Sequence, residues 1–333
     1  MERIAVIGAG SWGTTVASIA ARRATTMLWA RRDELARAIN RTHTNPDYLP
    51  DHELPDQVTA SHELEEVVDR AELIVMAVPS HGFRSIFTET AQNLSPNTPI
   101  VSLTKGIEQE TLATMTEVVH EVDESISRDV VGVVTGPNLA SEIVAGQPTA
   151  SVAAFRDTET ARAVQGLLMG PTFRVYTHDD VIGCELGGAL KNVMAIAAGM
   201  SDGLGFGDNT RATLLTRALA EVTRLGVAQG GRPETFAGLA GMGDLIATCS
   251  SDRSRNHRVG YALARGQTLE EVINEMKMVA EGVKTTKSAL GLAERAGVDM
   301  PIATHVDLVL EGEMTPREAM SSLMTREAKA ESL

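Results

Sequence analysis

Arg3-Ile4-Ala5-Val6-Ile7-Gly8-Ala9-Gly10-Ser11-Trp12-Gly13 opens the chain with a short apolar run, rich in β-branched residues, that passes straight into a glycine-spaced turn. The run reads as a first buried strand, and the glycines as the mouth of a dinucleotide site. Gly8 allows the tight turn off the strand, Gly10 lets backbone come up against a pyrophosphate, and Gly13 lets the next helix pack closely, its N-terminus facing the phosphates. The glycine spacing alone also suits a strand-turn-helix unit with no ligand. Context decides: a strand precedes it, a helical run from Thr14 to Arg22 follows, and a second strand-like run, Thr25 to Ala30, comes next.

Outward from that motif, strand and helix patterns alternate. Further strands are expected at Met27–Ala30, Val58–Ala60, Leu73–Val78, Ile100–Leu103, Val130–Thr135, Ala150–Phe155 and Arg174–Thr177, with helical patterns such as Asp33–Thr42 and Thr158–Met169 between them. Runs as apolar as Leu73-Ile74-Val75-Met76-Ala77-Val78 imply a sheet covered on both faces. The expected fold is therefore α/β: an N-terminal Rossmann-type, doubly wound, mostly parallel sheet, its first six strands in the order 3-2-1-4-5-6 and the last two appended. From Val181 only helices are expected, over 181–200, 209–229, 255–265, 269–275, 281–296 and 316–324. Thr268 with Glu271 and Thr315 with Glu318 form capping-box patterns. The boundary is placed near 178, giving a dinucleotide-binding domain over 1–178 and an all-helical substrate-binding and catalytic domain over 179–333.

A net charge of -14 argues against nucleic acid or an anionic membrane as a partner, so an anionic ligand needs local basic residues. Cys184 and Cys249 make no disulfide framework and fit a reducing cytosol. The strand begins too early for a signal peptide, and the apolar stretch 181–200 carries Glu185, Lys191 and Asn192, so a buried helix is expected there instead of stable membrane insertion. The expected location is cytoplasmic.

Ligands of a doubly wound sheet lie beyond the carboxyl ends of its strands, which selects Arg31 and Arg32, Pro79-Ser80, Lys105 and Gly136-Pro137-Asn138. An acid that grips the ribose 2'-hydroxyl is expected at the end of strand two, where this chain has Ala30-Arg31-Arg32. Two guanidiniums suit a 2'-phosphate, so NADP(H) is an expected cofactor; a solvated helix start before Asp33 and Glu34 is the alternative. Lys191 has no acid within one turn on a small, apolar helix, so it either snorkels outward or works in a cleft. Burial and a cation such as Lys105 would bring its pKa down from about 10.4 toward neutrality, making it a competent base. Ser254 and Arg255, at a helix start, could hold a phosphate dianion, and Asp244 and Thr248 share one helical face. The loop Asn45-Pro46-Asp47-Tyr48-Leu49-Pro50 reads as rigid, without an evident function.

Taken together, Gly8-Ala9-Gly10-Ser11-Trp12-Gly13, His43-Thr44-Asn45-Pro46-Asp47-Tyr48-Leu49-Pro50, Val78-Pro79-Ser80, Thr104-Lys105-Gly106, Gly136-Pro137-Asn138-Leu139-Ala140, Leu190-Lys191-Asn192, Gly241-Met242-Gly243-Asp244-Leu245, Ser254-Arg255-Asn256 and Val279-Ala280-Glu281-Gly282 closely resemble the bacterial-type NAD(P)-dependent sn-glycerol-3-phosphate dehydrogenases. That resemblance implies reversible hydride transfer between NAD(P)H and dihydroxyacetone phosphate, with NADP(H) or NAD(H) as cofactor, no metal, and a product that feeds glycerophospholipid synthesis. It makes Lys191 the proton acceptor and has Lys105, Gly136, Asn138, Asp244, Ser254, Arg255 and Asn256 contact the substrate. Gly8, Gly10, Ser11, Trp12, Gly13, Arg31, Arg32, Lys105, Ala140, Arg255, Val279 and Glu281 would contact the cofactor. Position 138 is often a small hydroxyl residue in the family, where this chain has Asn138. The partner is a small molecule, and a homodimer stays open. Two rivals are a β-hydroxyacid dehydrogenase, which shares the glycine four residues before the lysine but has an asparagine where this chain has Ala195, and a non-catalytic NADP(H)-binding sensor.

Overall fold

The computed structural model describes every residue except Asn93, Lys277, Met278, Val279, Lys329, Ser332 and Leu333. It divides into two compact units, one formed by Met1–Thr104 and Met115–Val181, the other by Lys105–Thr114 and Ile182–Leu333.

The strands of the first unit are β1 (Arg3–Ile7), β2 (Thr25–Trp29), β3 (Thr44–Asn45), β4 (Leu49–Glu53), β5 (Val58–Ser61), β6 (Leu73–Met76), β7 (Ile100–Ser102), β8 (Val131–Thr135), β9 (Thr149–Ala154) and β10 (Phe173–His178). All but β3 and β4 form one sheet in the order β10-β9-β8-β7-β6-β1-β2-β5. The expected order of the first six strands is observed, with β9 and β10 added beyond β8. Every residue of β6 is buried, as are Ile4 to Ile7 of β1, which explains their unbroken apolar sequence. Pairing is parallel except between β8 and β9, where Thr135 lies opposite Val152. This reversal sets the carboxyl end of β8 beside the start of β9, and the Ser151 hydroxyl donates to the Thr135 carbonyl at 2.8 Å.

Lys105–Thr114, expected within the first domain, packs instead with the helical unit. Side chains hold it there: Ser288 Oγ donates to the Ile107 carbonyl at 3.3 Å, and Asn192 Nδ2 to the Lys105 carbonyl at 3.4 Å.

The second unit is built around the helix Val181–Gly203, whose Leu186, Leu190, Val193, Met194 and Ile196 lie in one core with Leu225, Phe236 and Val259. The helix is long and apolar enough to cross a bilayer, yet 83% of that apolar window is buried within the protein. A helix apolar on all sides is at home in such a core. The expected capping boxes form at Thr268 and Thr315.

Two short α-helices and one longer one went unread in the sequence: Ala140–Val144, Pro233–Phe236 and Pro301–Leu310; the helix Asp244–Cys249 carries Asp244 and Thr248 on one face, as expected. Pro301–Leu310 has no local side-chain cap. Glu221, from the helix Asp208–Ala228, accepts from Ile302 N at 2.8 Å and from Ala303 N at 3.4 Å. Burial pushes that carboxyl up to about 7, against the pull of the two amides.

Candidate active site

The helix after β1 begins at Ser11, three residues earlier than expected, with Gly10 as its N-cap. Ser11, Trp12 and Gly13 thus form the first turn, whose backbone N–H groups have no helical partner. Gly8 adopts a φ of 120°, and a Cβ there would lie 2.5 Å from the Ala77 carbonyl oxygen; one on Gly13 would lie 2.0 Å from that of Gly8. A Cβ on Gly10 would meet nothing within 4 Å. The turn is closed where the chain packs on itself and open where an anion would approach.

Four buried side-chain polar atoms of this unit lack a hydrogen-bond partner among the described residues: Arg3 Nε at the start of β1, and Trp12 Nε1, Thr135 Oγ1 and Asn138 Oδ1 at or beyond the carboxyl ends of β1 and β8. Thr135 ends β8, Gly136 follows with a φ of 138°, and Asn138 Nδ2 donates to Ser151 Oγ at 3.1 Å. Ala140 starts the short helix that packs on the helix bearing Trp12. Orphaned polar atoms, open space over Gly10 and an anion-binding helix N-terminus fit a dinucleotide.

Arg31 and Arg32 are both exposed, immediately before the helix Asp33–Thr42. Arg32 is ion-paired with Asp47, which raises its pKa through a hydrogen bond and charge attraction. Arg31 has no such partner among the described residues. The loop that carries Asp47 is anchored by Asn45, whose wholly buried side chain donates to the Ala9 carbonyl at 2.9 Å and to Thr14 Oγ1 at 2.8 Å. Its Oδ1 accepts from the amides of Asp47 and Tyr48, and Ser11 Oγ donates to the Tyr48 carbonyl at 3.1 Å. Sequence reasoning missed Asn45 as the support of the glycine turn; the Asn-Pro pair within a short polar loop was its only local signal.

In the helical unit Lys191 is buried and does not snorkel. Its Nζ donates to Asp244 Oδ1 at 2.5 Å and to Thr248 Oγ1, while Lys105 Nζ donates to Asp244 Oδ2 at 2.6 Å. One carboxylate, 1% exposed, therefore bridges two ammonium groups. Burial brings the Lys191 pKa down to about 8; Asp244 opposes the shift and the Lys105 charge adds to it. Burial also pushes Cys249, beside the cluster, up to about 12. Gly187 explains how Asp244 gets so close: a Cβ there would lie 2.6 Å from the Ala240 carbonyl oxygen, so only glycine admits the segment leading to Asp244.

Ser254 caps the helix Arg255–Ala264, accepting from His257 N at 3.3 Å. Asn256 Nδ2 donates to Asn192 Oδ1 and its Oδ1 accepts from Gly282 N, both at 2.9 Å. Arg255 is solvent-accessible yet crowded, so lost hydration lowers its pKa, while the Glu281 carboxylate pulls the other way. Lys105, Lys191 and Asp244 are thus brought into one cluster and Ser254, Arg255, Asn256 and Glu281 into another, linked through Asn192. Val279 lies outside the described residues.

Residues 3–161 match the family described as NAD-dependent glycerol-3-phosphate dehydrogenase N-terminus, and residues 180–321 match the family's C-terminus. The chain is 52% identical over 322 residues to a glycerol-3-phosphate dehydrogenase (NAD(P)+) of Sphingopyxis alaskensis, covering 97% of this chain and 96% of that one. It is 50% identical over 331 residues to one of Geobacter sulfurreducens, covering 99% of each. Its fold is similar to the crystal structure of glycerol-3-phosphate dehydrogenase from Coxiella burnetii, with a TM-score of 0.92 at 36% identity over 98% of this chain and 99% of that one.

Proposed function

The chain belongs to the NAD-dependent glycerol-3-phosphate dehydrogenase family, and from that premise we propose that it interconverts dihydroxyacetone phosphate and sn-glycerol 3-phosphate, with Lys191 as the proton donor and acceptor. The observation that carries the residue-level reading is a buried lysine with a pKa of about 8, held by Asp244 and Thr248. When bound, NAD(P)H would supply the hydride to C2 of the ketone, and NAD(P)+ would accept it in the reverse direction. In reduction the Lys191 ammonium polarises the C2 carbonyl and gives its proton to the developing alkoxide; in oxidation the neutral amine takes that proton from the hydroxyl.

Asp244 fixes the Lys191 amine and neutralises Lys105, so that the cluster still holds a balanced pair once Lys191 has given up its proton. Arg255 and the N-terminus of its helix, capped by Ser254, suit the substrate phosphate, with Asn256 holding that turn against Asn192 and Gly282. Gly136 and Asn138 are further substrate contacts in this reading. In this reading the first unit's cofactor residues are Gly8, Gly10, Ser11, Trp12, Gly13, Arg31, Arg32 and Ala140; the family resemblance adds Lys105, Arg255 and Glu281. The product is a precursor of glycerophospholipids, and the two buried thiols suit the cytoplasm.

Spectrophotometric assay of the purified protein tests the reading. Oxidation of NADPH or NADH that depends on dihydroxyacetone phosphate and yields sn-glycerol 3-phosphate is expected. Turnover of a β-hydroxyacid instead, or cofactor binding without turnover, contradicts it.

A further inference from the structure

A Rossmann site ordinarily has a carboxylate at the end of its second strand to grip the ribose 2'-hydroxyl. Here β2 is followed by Ala30-Arg31-Arg32, and no acid occupies that place. The structure delivers one from elsewhere. Asp47 sits at the turn between β3 and β4 and is ion-paired with Arg32, the two side chains being 42% and 54% exposed. Its position is imposed from both sides. Asn45 ties the loop to Ala9 and Thr14 of the glycine turn and accepts from the Asp47 amide, and Ser11 holds the Tyr48 carbonyl on the other side. The loop is thus built onto the same turn that would carry a pyrophosphate.

We propose that Asp47 is a specificity-determining residue: it replaces the missing strand-two carboxylate as acceptor for the 2'-hydroxyl of NADH, and by engaging Arg32 it restrains the grip on the 2'-phosphate of NADPH. The inference rests on the cofactor role proposed above. A dianionic 2'-phosphate must take Arg32 from Asp47 and tolerate the carboxylate as a like-charged neighbour, leaving Arg31 as its uncontested cation. A 2'-hydroxyl meets no such opposition and gains an acceptor. One ion pair then lets the same ribose site serve both cofactors, with neither fully favoured.

The test is equilibrium binding of NADPH and NADH, followed by nicotinamide fluorescence at low and moderate salt, for the full chain and for Asp47→Asn, Asp47→Ala, Arg32→Ala and the double variant. Because the pair is exposed, the expected effects are modest: NADPH binds about two- to fivefold more tightly to both Asp47 variants and NADH about twofold more weakly. The tighter NADPH binding should be most pronounced at low salt. It should also shrink in the Arg32→Ala background, where only the repulsion between Asp47 and the phosphate remains to be relieved. Equal weakening of both cofactors would show that Asp47 only holds the loop, and weaker NADPH binding would show that it prepares Arg32 for the phosphate; either overturns the proposal. Failure of the unsubstituted chain to bind either cofactor would instead overturn the function on which it rests.

Discussion

Two places in this molecule hold the same set of charges, two cations and one carboxylate. In the helical unit Asp244 bridges Lys105 and Lys191 where almost no solvent reaches; in the sheet unit Asp47 pairs with Arg32 beside Arg31 in the open. Burial and the kind of cation make the difference. In the first set, desolvation and the second cation bring an ammonium group to a pKa of about 8, where it can both give and take a proton near neutrality. The second set is built on guanidiniums, which do not exchange protons at working pH, so that trio can only weigh one anion against another. A carboxylate with buried lysine makes an acid–base device; a carboxylate with exposed arginines makes a selectivity device.

The largest expected effect comes from removing the amine at the dry site. Lys191→Ala should lower turnover by about 10²- to 10⁴-fold while cofactor affinity stays within about twofold, as measured by steady-state kinetics and binding. Lys191→Arg should not restore activity, because a guanidinium does not give up its proton. Activity near that of the unsubstituted protein would remove Lys191 from the mechanism and erase the contrast between the two clusters.

Next in size is the bridging carboxylate. Asp244→Asn takes the counter-charge from the buried Lys191 and the half-buried Lys105, which should lower the free energy of unfolding by up to about 3 to 5 kcal/mol, less whatever Lys191 recovers by losing its proton. Asp244 holds the Lys191 pKa up against burial, so the same change should move it below about 8. Calorimetry reads the first effect and the pH dependence of turnover the second. Loss of stability without any pH shift would mean that the pair is structural only.

The wet cluster should respond least. Arg31→Ala should weaken NADPH about three- to tenfold and Arg32→Ala less, because Asp47 already engages Arg32, with NADH within about twofold in both. Replacing both should also flatten the salt dependence of NADPH binding. Equal losses for NADPH and NADH would place the arginines on the adenine or the pyrophosphate instead.

Which parts of this were legible in the sequence follows from how local the interactions are. The glycine turn, the helix Glu281–Ala296 and the capping boxes at Thr268 and Thr315 are made by residues a few positions apart, and all were readable. The helix Pro301–Leu310 was not, since its cap is Glu221 on another helix. Lys191 could be singled out as an isolated cation on an apolar helix, but its partner lies 53 residues further on, and pattern alone left snorkelling equally open. The loop around Asn45 showed only its turn chemistry, because its hydrogen bonds go to Ala9 and Thr14, over 30 residues back.

The central claim is that the buried cluster tunes Lys191, and the pH dependence of kcat/KM for dihydroxyacetone phosphate reduction tests it most directly, since that quantity reports the groups of the free enzyme. Reduction needs the ammonium form, so the rate should hold steady below a pKa of about 8 and fall above it. Oxidation needs the neutral amine and should show the reverse, rising through the same pH and levelling off beyond it. A limb at about 10.4, the value of an ordinary lysine, or no limb in either direction, would contradict the account.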